Sequence, residues 1–353
     1  MNGIAIRFGA LGAVVAALGC AGTPAEVGTP DRTNPDSLPR AAAEDTVTQV
    51  SMRDVNFYVM PNAALRIRKL RGTVRSLQGG PVLFDDKHSF VIDMNYAEIG
   101  LNESDITTLM NYIFAYPGAP LKQLHVHMSG SQVVQTGMMH KILDIPFQIT
   151  ADVSVTPEGL IRLHPVKTRI LGVDGNSLMR AFGLTLQKIL DLSKAKGVTV
   201  RGNDLFLDPV MILPPPAIEG HATAIRVEGD ELVQTFGTLA EATPLTPPDT
   251  AATAYMFFRG GTLHFGKLLM LDAEMQIVDL RPSGWFSFDL DKYKDQLVAG
   301  YERTLPDLGL EVHMLGLEKH QNSPPCRFLT PRSTLSSPSS SPCIVARMPL
   351  PSP

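Results

Sequence analysis

A chain of 353 residues, 44% of them hydrophobic, is long enough to bury one sizeable core or two smaller ones. Its 31 basic and 35 acidic side chains give a formal net charge of −4, which argues against nucleic acid as the main partner. No cysteine lies between Cys20 and Cys326. The middle of the chain therefore depends on core burial for its stability, without a disulfide.

The first 19 residues have the pattern of an export signal. Arg7 supplies a positive charge, and the apolar run from Phe8 to Gly19 is shorter than the about 20 residues that span a bilayer. The sequence Ala17-Leu-Gly-Cys20 resembles the lipobox of bacterial lipoproteins. We therefore predict cleavage before Cys20 and attachment of acyl chains such as palmitate to its thiol. An ordinary secretory peptide with an incidental cysteine is the alternative.

Residues 20–45 combine the lipidated cysteine with a flexible tether. They are rich in Pro, Thr, Ala and Gly and have no apolar periodicity, which is typical of a solvated linker. Acyl chains on a cysteine bury enough methylene groups for stable attachment to a membrane. The predicted location is the cell envelope, and Ala21 after the cysteine favours the periplasmic face of the outer membrane.

Residues 46–237 show repeated alternation of apolar and polar side chains, which predicts strands with one buried face. Phe147, Ile149 and Ala151 lie on one such face, and Pro157-Glu-Gly159 supplies a turn before the next strand, Leu160 to Val166. Further strands are predicted at Asp54 to Val59, Leu65 to Leu70, Phe90 to Tyr96, Leu124 to Ser129, Gln132 to Met138, Thr168 to Leu171, Val198 to Leu207 and Thr223 to Val227.

Two stretches of this region have helical spacing instead. A short helix is predicted from Ser104 to about Phe114, before Pro117-Gly118. A longer amphipathic helix is predicted from about Asn176 to Lys196, with Gly197 placed where a helix commonly ends. Its apolar stripe consists of Leu178, Phe182, Leu186, Ile189 and Leu190.

A linker rich in Pro, Thr and Ala (238–253) precedes a C-terminal extension, residues 254–316. Strands are predicted at Tyr255 to Phe258, Thr262 to Leu271 and Glu274 to Leu280, followed by a helix from Asp291 to Thr304. The pattern is compatible with a second domain and with an extension of the first sheet. Residues 317–353 are rich in Ser and Pro, which is typical of disorder, and the abrupt change suggests a frameshift.

This order of elements resembles the tubular lipid-binding (TULIP-like) family, and Gly175 to Gly237 is most similar to bacterial phospholipid-binding envelope proteins of the LmeA type. The resemblance implies an α+β fold in which a curved antiparallel sheet wraps one long amphipathic helix, with additional C-terminal strands. It also implies an apolar groove for phospholipid or another acyl lipid. The family has no catalytic signature, and no cofactor is expected.

Flexible methionines and the stripe of the long helix are the candidates for lining such a groove. The candidate residues are Met94, Met128, Met179, Phe182, Leu186 and Ile189. Plain core packing is the alternative for all of them. Arg66 and Arg68 share one face of a strand and are candidates for contacting lipid phosphates, with an ordinary solvated strand face as the alternative.

No catalytic or metal site is predicted. Asp85-Asp-Lys-His88 has paired carboxylates but lies where a charged turn is expected. His125 and His127 share a strand face without a third ligand at a familiar spacing. The segment from Gly261 to Lys267 imitates a phosphate-binding loop, but position 268 is Leu and the segment has a strand pattern.

The favoured function is therefore that of a membrane-anchored, non-enzymatic envelope lipoprotein that binds or transfers lipid. The alternative is a structural or scaffolding lipoprotein with a fully packed core, whose strand edges or surfaces bind a protein partner of unknown identity.

Overall fold

The computed structural model describes residues 47–140, 143–171, 173–175, 185–189, 191–240, 242–281, 284–306 and 309–317. The chain divides into two compact units, 1–42 and 43–353, and all described residues belong to the second. The predicted export signal, Cys20 and the tether lie outside the described residues. Residues 318–353 of the predicted Ser/Pro-rich tail also lie outside them.

Most of the described residues lie in strands, as the alternation predicts. The first strands are β1 (Val47–Met60), β2 (Ala63–Ser76), β3 (Val82–Leu83), β4 (Phe90–Asn102), β5 (Leu121–Ser129), β6 (Gln132–His140), β7 (Asp144–Val155), β8 (Ile161–Ile170), β9 (Val173–Asp174), β10 (Val198–Arg201) and β11 (Asp204–Leu207). The remaining strands are β12 (Ala217–Glu219), β13 (Ala222–Glu228), β14 (Glu231–Gly237), β15 (Tyr255–Arg259), β16 (Thr262–Phe265), β17 (Leu268–Leu271), β18 (Glu274–Asp279), β19 (Phe286–Asp289), β20 (Tyr301–Thr304) and β21 (Leu310–Met314). The helices are α1 (Glu103–Ile113), α2 (Leu186–Ile189) and α3 (Tyr293–Val298).

The larger of the sheets has eleven described strands and joins both ends of the described chain. Its main order is β13-β14-β4-β2-β1-β15-β18-β21-β20, and β12 and β19 add parallel pairings to β4 and β1. Because β15 pairs antiparallel with β1, the strands of residues 254–316 extend the sheet formed by residues 46–237. Alternating apolar residues of β1 and β2 contribute to one large core on this sheet.

A seven-stranded antiparallel sheet forms a second layer, with the order β10-β11-β8-β7-β6-β5 and with β9 beside β8. Helix α1 packs against β5 and contributes to a second core with the inner face of this sheet. The short strands β17, β16 and β3 form a three-stranded sheet beside the first core. The candidate site described below lies in the second core.

The prediction of one long helix wrapped by a sheet is wrong. Residue 185 is not helical, α2 has four residues, and none of residues 191–197 is helical. In a continuous helix the backbone N–H groups of Leu186 and Gln187 would donate to carbonyls four residues earlier. They donate instead to Asn203 Oδ1 and Gly202 O in the β10–β11 turn, both at 3.1 Å. The described part of the chain is therefore mostly β, with mixed sheets, and contains no long helix wrapped by a sheet.

Local hydrogen bonding explains why the helical stripe misled the prediction. The backbone N–H of Ser193 donates to Asp191 Oδ1 at 3.1 Å, which gives this segment an alternative to the helical ladder. Gly183 also lowers helix propensity, by about 1 kcal/mol relative to Ala. An apolar period can thus persist in a sequence whose backbone donors are satisfied elsewhere.

The two other predicted helices are observed with changed bounds. Helix α1 is confirmed, but Asn102 rather than Ser104 is its N-cap, in a capping box with Asp105. The C-terminal helix is shorter than predicted, because α3 ends at Val298 and Tyr301 already belongs to β20. Asp105 also accepts a hydrogen bond from the Ala64 N–H at 3.0 Å, which joins α1 to the larger sheet.

Candidate functional site

An apolar cavity of about 60 Å³ lies on the inner face of the seven-stranded sheet. Strand alternation creates this face, because every second residue of β7, including Phe147, Ile149 and Ala151, points to the same side. Helix α2 adds Leu186 from outside the sheet. The lining residues are Leu121, Val133, Gln135, Met139, Phe147, Ile149, Ala151, Leu163, Pro165, Thr168, Ile170, Leu186, Val200 and Leu205.

A second apolar cavity of about 50 Å³ adjoins the first. Val133, Gln135 and Leu163 line both cavities, so the two meet at these side chains. The second cavity continues towards α1, where Leu109 lines it, and towards β14, where Leu232 does. The two adjoining cavities lie along the second core, and we call them together the groove.

A β-bulge in β8 decides which side chain faces the groove. Pro165 and Lys167 pair with adjacent residues of β7, so Val166 is the extra residue of β8. The bulge reverses the alternation of the strand from that point. As a result Lys167 is exposed on the outer face, and the neighbouring Thr168 is buried and lines the groove.

The Thr168 hydroxyl is a buried polar group within this mostly apolar lining. Thr168 is only 2% exposed, and among the described residues its hydroxyl has no hydrogen-bond partner. A buried polar group without a partner costs about 1–3 kcal/mol. The hydroxyl is therefore free to bond a polar atom of a molecule that occupies the groove.

The structure brings only part of the predicted groove residues to this site. Leu186 lines the groove, and Met128 packs against the same core. Met94 is buried in the core of the larger sheet. Met179 and Phe182 lie outside the described residues. Ile189 belongs to α2, but its side chain also lies outside what the structure describes.

Sequence reasoning missed most of the lining, although its signal was present. The inward residues of β6, β7 and β8 alternate clearly, but alternation alone does not distinguish a cavity wall from a filled core. The missed residues include Leu121, Val133, Gln135, Met139, Phe147, Ile149, Ala151, Leu163, Pro165, Thr168 and Ile170.

Arg66 and Arg68, the candidates for contacting lipid phosphates, are paired with carboxylates. Arg66 forms an ion pair with Glu231, and its guanidinium lies 5.1 Å from the ring centre of Trp285. Arg68 contacts Glu228 at 2.6 Å and Glu231 at 2.9 Å. These carboxylates offset the positive charge, so the pair offers less attraction to an anionic surface than the sequence suggests.

The polar turn before β4 is held to α3. The Tyr293 hydroxyl donates to Asp85, and Lys294 Nζ lies 2.7 Å from the same carboxylate. Burial raises the pKa of Asp85, but the hydrogen bonds from Lys294 and Tyr293 outweigh it and lower the pKa. Asp86 accepts the N–H of His88 at 2.9 Å, a bond typical of a turn. These contacts give the cluster a structural role.

The remaining sequence candidates do not assemble a site in the described part of the chain. His125 and His127 are exposed on β5, and the described residues contain no group of three side chains that could hold a metal ion. Residues 262–265 form β16, so the segment from Gly261 to Lys267 is a strand and its turn rather than a phosphate-binding loop.

A wider cleft of about 770 Å³ lies between β17 and β20, which are end strands of their sheets. Leu268, Leu269 and Leu271 of β17 are exposed, as is Val298 of α3 beside it. Unpaired strand edges with exposed apolar side chains are templates for adding another strand. This cleft is the second surface that can support a function.

Two general findings bear on the site. Among the described residues, no helix has the length and apolar character needed to cross a membrane. Comparison of the chain with protein-family models, with curated proteins and with solved structures gives no significant match.

Proposed function

We propose that this protein binds the acyl chain of a lipid in the groove of the seven-stranded sheet. The observation that supports it is a pair of adjoining, mostly apolar cavities whose lining contains a buried hydroxyl, on Thr168, with no partner among the described residues. Small-molecule sites combine a mostly apolar wall with a few polar groups that fix orientation. An acyl chain with a carboxyl or ester group fits this combination, with its polar atom accepting from Thr168.

The groove must widen to hold an entire acyl chain. Its two parts measure about 60 and 50 Å³, whereas occupied ligand pockets measure about 300–1,000 Å³. The wall opposite the sheet includes Leu186, which belongs to α2. This helix has four residues, and the backbone N–H groups of Leu186 and Gln187 join it to the β10–β11 turn. The Gly202 N–H also donates to Gln187 Oε1 at 3.0 Å. We expect this short element to be the part of the wall that moves outward when a ligand enters.

Purification of the full chain from its host, followed by native mass spectrometry and solvent extraction, tests this function. We expect a complex with close to one bound lipid per chain and recovery of that lipid in the extract. Purified protein that carries no lipid, and that binds no fluorescent fatty acid in titration, would contradict the proposal.

Replacing Thr168 with valine removes the hydroxyl and keeps the side-chain shape. We expect the ligand-free protein to be more stable by about 1 kcal/mol, because the unpartnered buried group is gone. We expect affinity for a fatty acid to fall about fivefold, the loss of one ordinary hydrogen bond. Urea unfolding and fluorescence titration measure the two effects. Thr150→Val on the outer face is the control and should change neither the stability nor the affinity. Equal affinity for fatty acid in the two variants would exclude a role for Thr168.

We also propose that acyl chains on Cys20 anchor the protein in the cell envelope, with the periplasmic face of the outer membrane favoured. The support is the lipobox-like sequence that ends in Cys20 and the linker-like composition of residues 21–45. Replacing Cys20 with serine should move the protein from the membrane pellet to the soluble fraction, as measured by fractionation and immunoblotting. Full retention in the pellet would show that another part of the chain binds the membrane.

The cleft between β17 and β20 favours the alternative, a scaffolding lipoprotein that binds an extended segment of a partner protein. Each bordering strand pairs with a described strand on one side only, and main-chain bonding to such edges is a common mode of peptide recognition. This alternative predicts that Leu269→Pro, which disrupts the β17 edge, impairs function in the host. It also predicts that a substitution that fills the groove leaves function in the host unchanged. Lipid binding predicts instead that the groove-filling substitution impairs function and that Leu269→Pro does not.

A further inference from the structure

The lining of the groove continues to one end of the seven-stranded sheet. There Leu121 of β5 pairs with Met139 of β6, and Met139 pairs with Ile145 of β7. Phe147 of β7 pairs with Ile170, the last residue of β8. Four of these five side chains, all except Ile145, line the groove. The apolar surface therefore reaches the strand ends instead of stopping inside the core.

Two exposed leucines lie beyond these strand ends. Leu143, in the turn between β6 and β7, is 73% exposed, and Leu171, directly after β8, is 66% exposed. The Leu171 N–H donates to Pro146 O at 3.1 Å, so the two turns lie side by side. We call Leu143, Leu171 and the strand ends beside them the rim.

The backbone adds a second observation at the rim. Leu171 has a φ of 52°, in the left-handed region that a bulky side chain rarely adopts. Glycine or asparagine is the usual residue for such a turn. Here the backbone conformation of a leucine costs stability, and its exposed side chain gains none from burial in water. A gain elsewhere, such as contact with an apolar phase, would offset this cost.

The charged groups beside the rim are compatible with an anionic surface. Lys122 and Arg169 are exposed near these strand ends, and neither forms an ion pair with a described residue. His140 and Asp144 pair with each other at 2.6 Å across the β6–β7 hairpin. Asp174 pairs in register with Arg169, which limits the net positive charge. The apolar contact must therefore contribute most of any binding.

We propose that the rim is where the protein contacts a lipid bilayer, with Leu143 and Leu171 inserted into the interfacial region. This inference depends on the proposed acyl-chain binding for its purpose: a chain leaving the bilayer at the rim would meet apolar side chains all the way into the groove. Two projecting leucines present far less area than the about 800 Å² per partner of a stable protein interface. They suit a surface that accepts apolar side chains to a depth of about 5–10 Å.

The test uses the full chain with Cys20→Ser, so that lipidation does not attach every variant to membranes. Leu143→Ser/Leu171→Ser is compared with Leu77→Ser/Leu239→Ser, which changes two leucines of 50% and 46% exposure away from the rim. Three quantities are measured: co-sedimentation with phosphatidylcholine vesicles containing phosphatidylglycerol, the rate of removal of a fluorescent fatty acid from those vesicles, and affinity for the same fatty acid free in solution.

We expect the rim variant to lose about tenfold or more in vesicle binding and in the removal rate, since each buried leucine contributes about 1.5–3 kcal/mol. Its affinity for free fatty acid should equal that of the control variant, because neither leucine lines the groove. Leu143→Trp should in addition show a blue-shifted emission when vesicles are added, and Leu239→Trp should not.

The outcomes separate this inference from the proposed function. If the rim variant and the control variant bind vesicles equally, and Leu143→Trp shows no spectral shift, the rim does not contact the bilayer, even where free fatty acid still binds. If no variant binds free fatty acid but vesicle binding still depends on the rim leucines, acyl-chain binding is contradicted and the bilayer contact remains.

Discussion

Replacing Ala151 with phenylalanine is expected to abolish fatty-acid binding while the protein stays folded. Ala151 lies at the middle of β7, paired with Val133 and Pro165, and all three side chains line the groove. A phenyl ring there occupies the space that an acyl chain needs. Overpacking a core costs about 1–3 kcal/mol, but part of the ring enters an existing cavity, so we expect the lower end of that range.

Fluorescence titration with a fatty acid and native mass spectrometry of the purified protein measure this effect. We expect at least a hundredfold loss of affinity and no lipid carried through purification. Ser154→Phe is the matched control, because Ser154 lies on the same strand and is exposed on the other face. Normal binding by the Ala151 variant, with its melting transition intact, would show that the ligand occupies another place.

Replacing Phe84 with alanine is expected to have the largest effect on stability. Phe84 is 3% exposed and connects β3 of the three-stranded sheet to the core of the larger one. Its ring lies 5.3 Å from Phe258, 5.4 Å from Phe265 and 5.8 Å from Phe90, measured between ring centres. Removing a buried phenyl ring costs about 3–5 kcal/mol, which is a large part of the stability of a typical domain.

Urea unfolding followed by circular dichroism measures this loss for the Phe84 variant. Phe206→Ala is the control, because the Phe206 ring is only partly buried and has Arg201 above it at 4.8 Å. We expect a loss of about 1 kcal/mol for the control. Similar losses in the two variants would mean that the aromatic cluster around Phe84 does not join the sheets as described.

Local sequence patterns predicted strands and helices whose formation depends on residues close to each other in the sequence. Alternation placed many of the strands correctly, as for β7, because one face of the strand is buried and the other is not. It missed β14, β19 and β21, and β20 lies in a segment that was predicted to be helical. The capping signal at Ser104 likewise predicted α1, although the observed N-cap, Asn102, lies two residues earlier. The turn at Gly266 divides the predicted strand Thr262 to Leu271 into β16 and β17.

Features that depend on distant partners could not be predicted in this way. The pairing of β15 with β1 joins residues about 200 positions apart, and no local pattern encodes it. The bulge at Val166 changes which residues of β8 face the groove, and it lies inside one strand where the sequence predicted two, Leu160 to Val166 and Thr168 to Leu171. The apolar stripe around Leu186 predicted a long helix, because the sequence does not show that Asn203 bonds its backbone.

Photo-crosslinking of the full-length protein with a diazirine fatty acid tests the central claim most directly, because it locates the bound acyl chain. Mapping by mass spectrometry should place the crosslinks on groove residues such as Met139, Phe147 and Ile149. The Ala151→Phe variant should lose these crosslinks, and excess unlabelled fatty acid should compete for them. Crosslinks confined to the exposed leucines of β17 (Leu268, Leu269 and Leu271), or scattered without competition, would contradict binding in the groove.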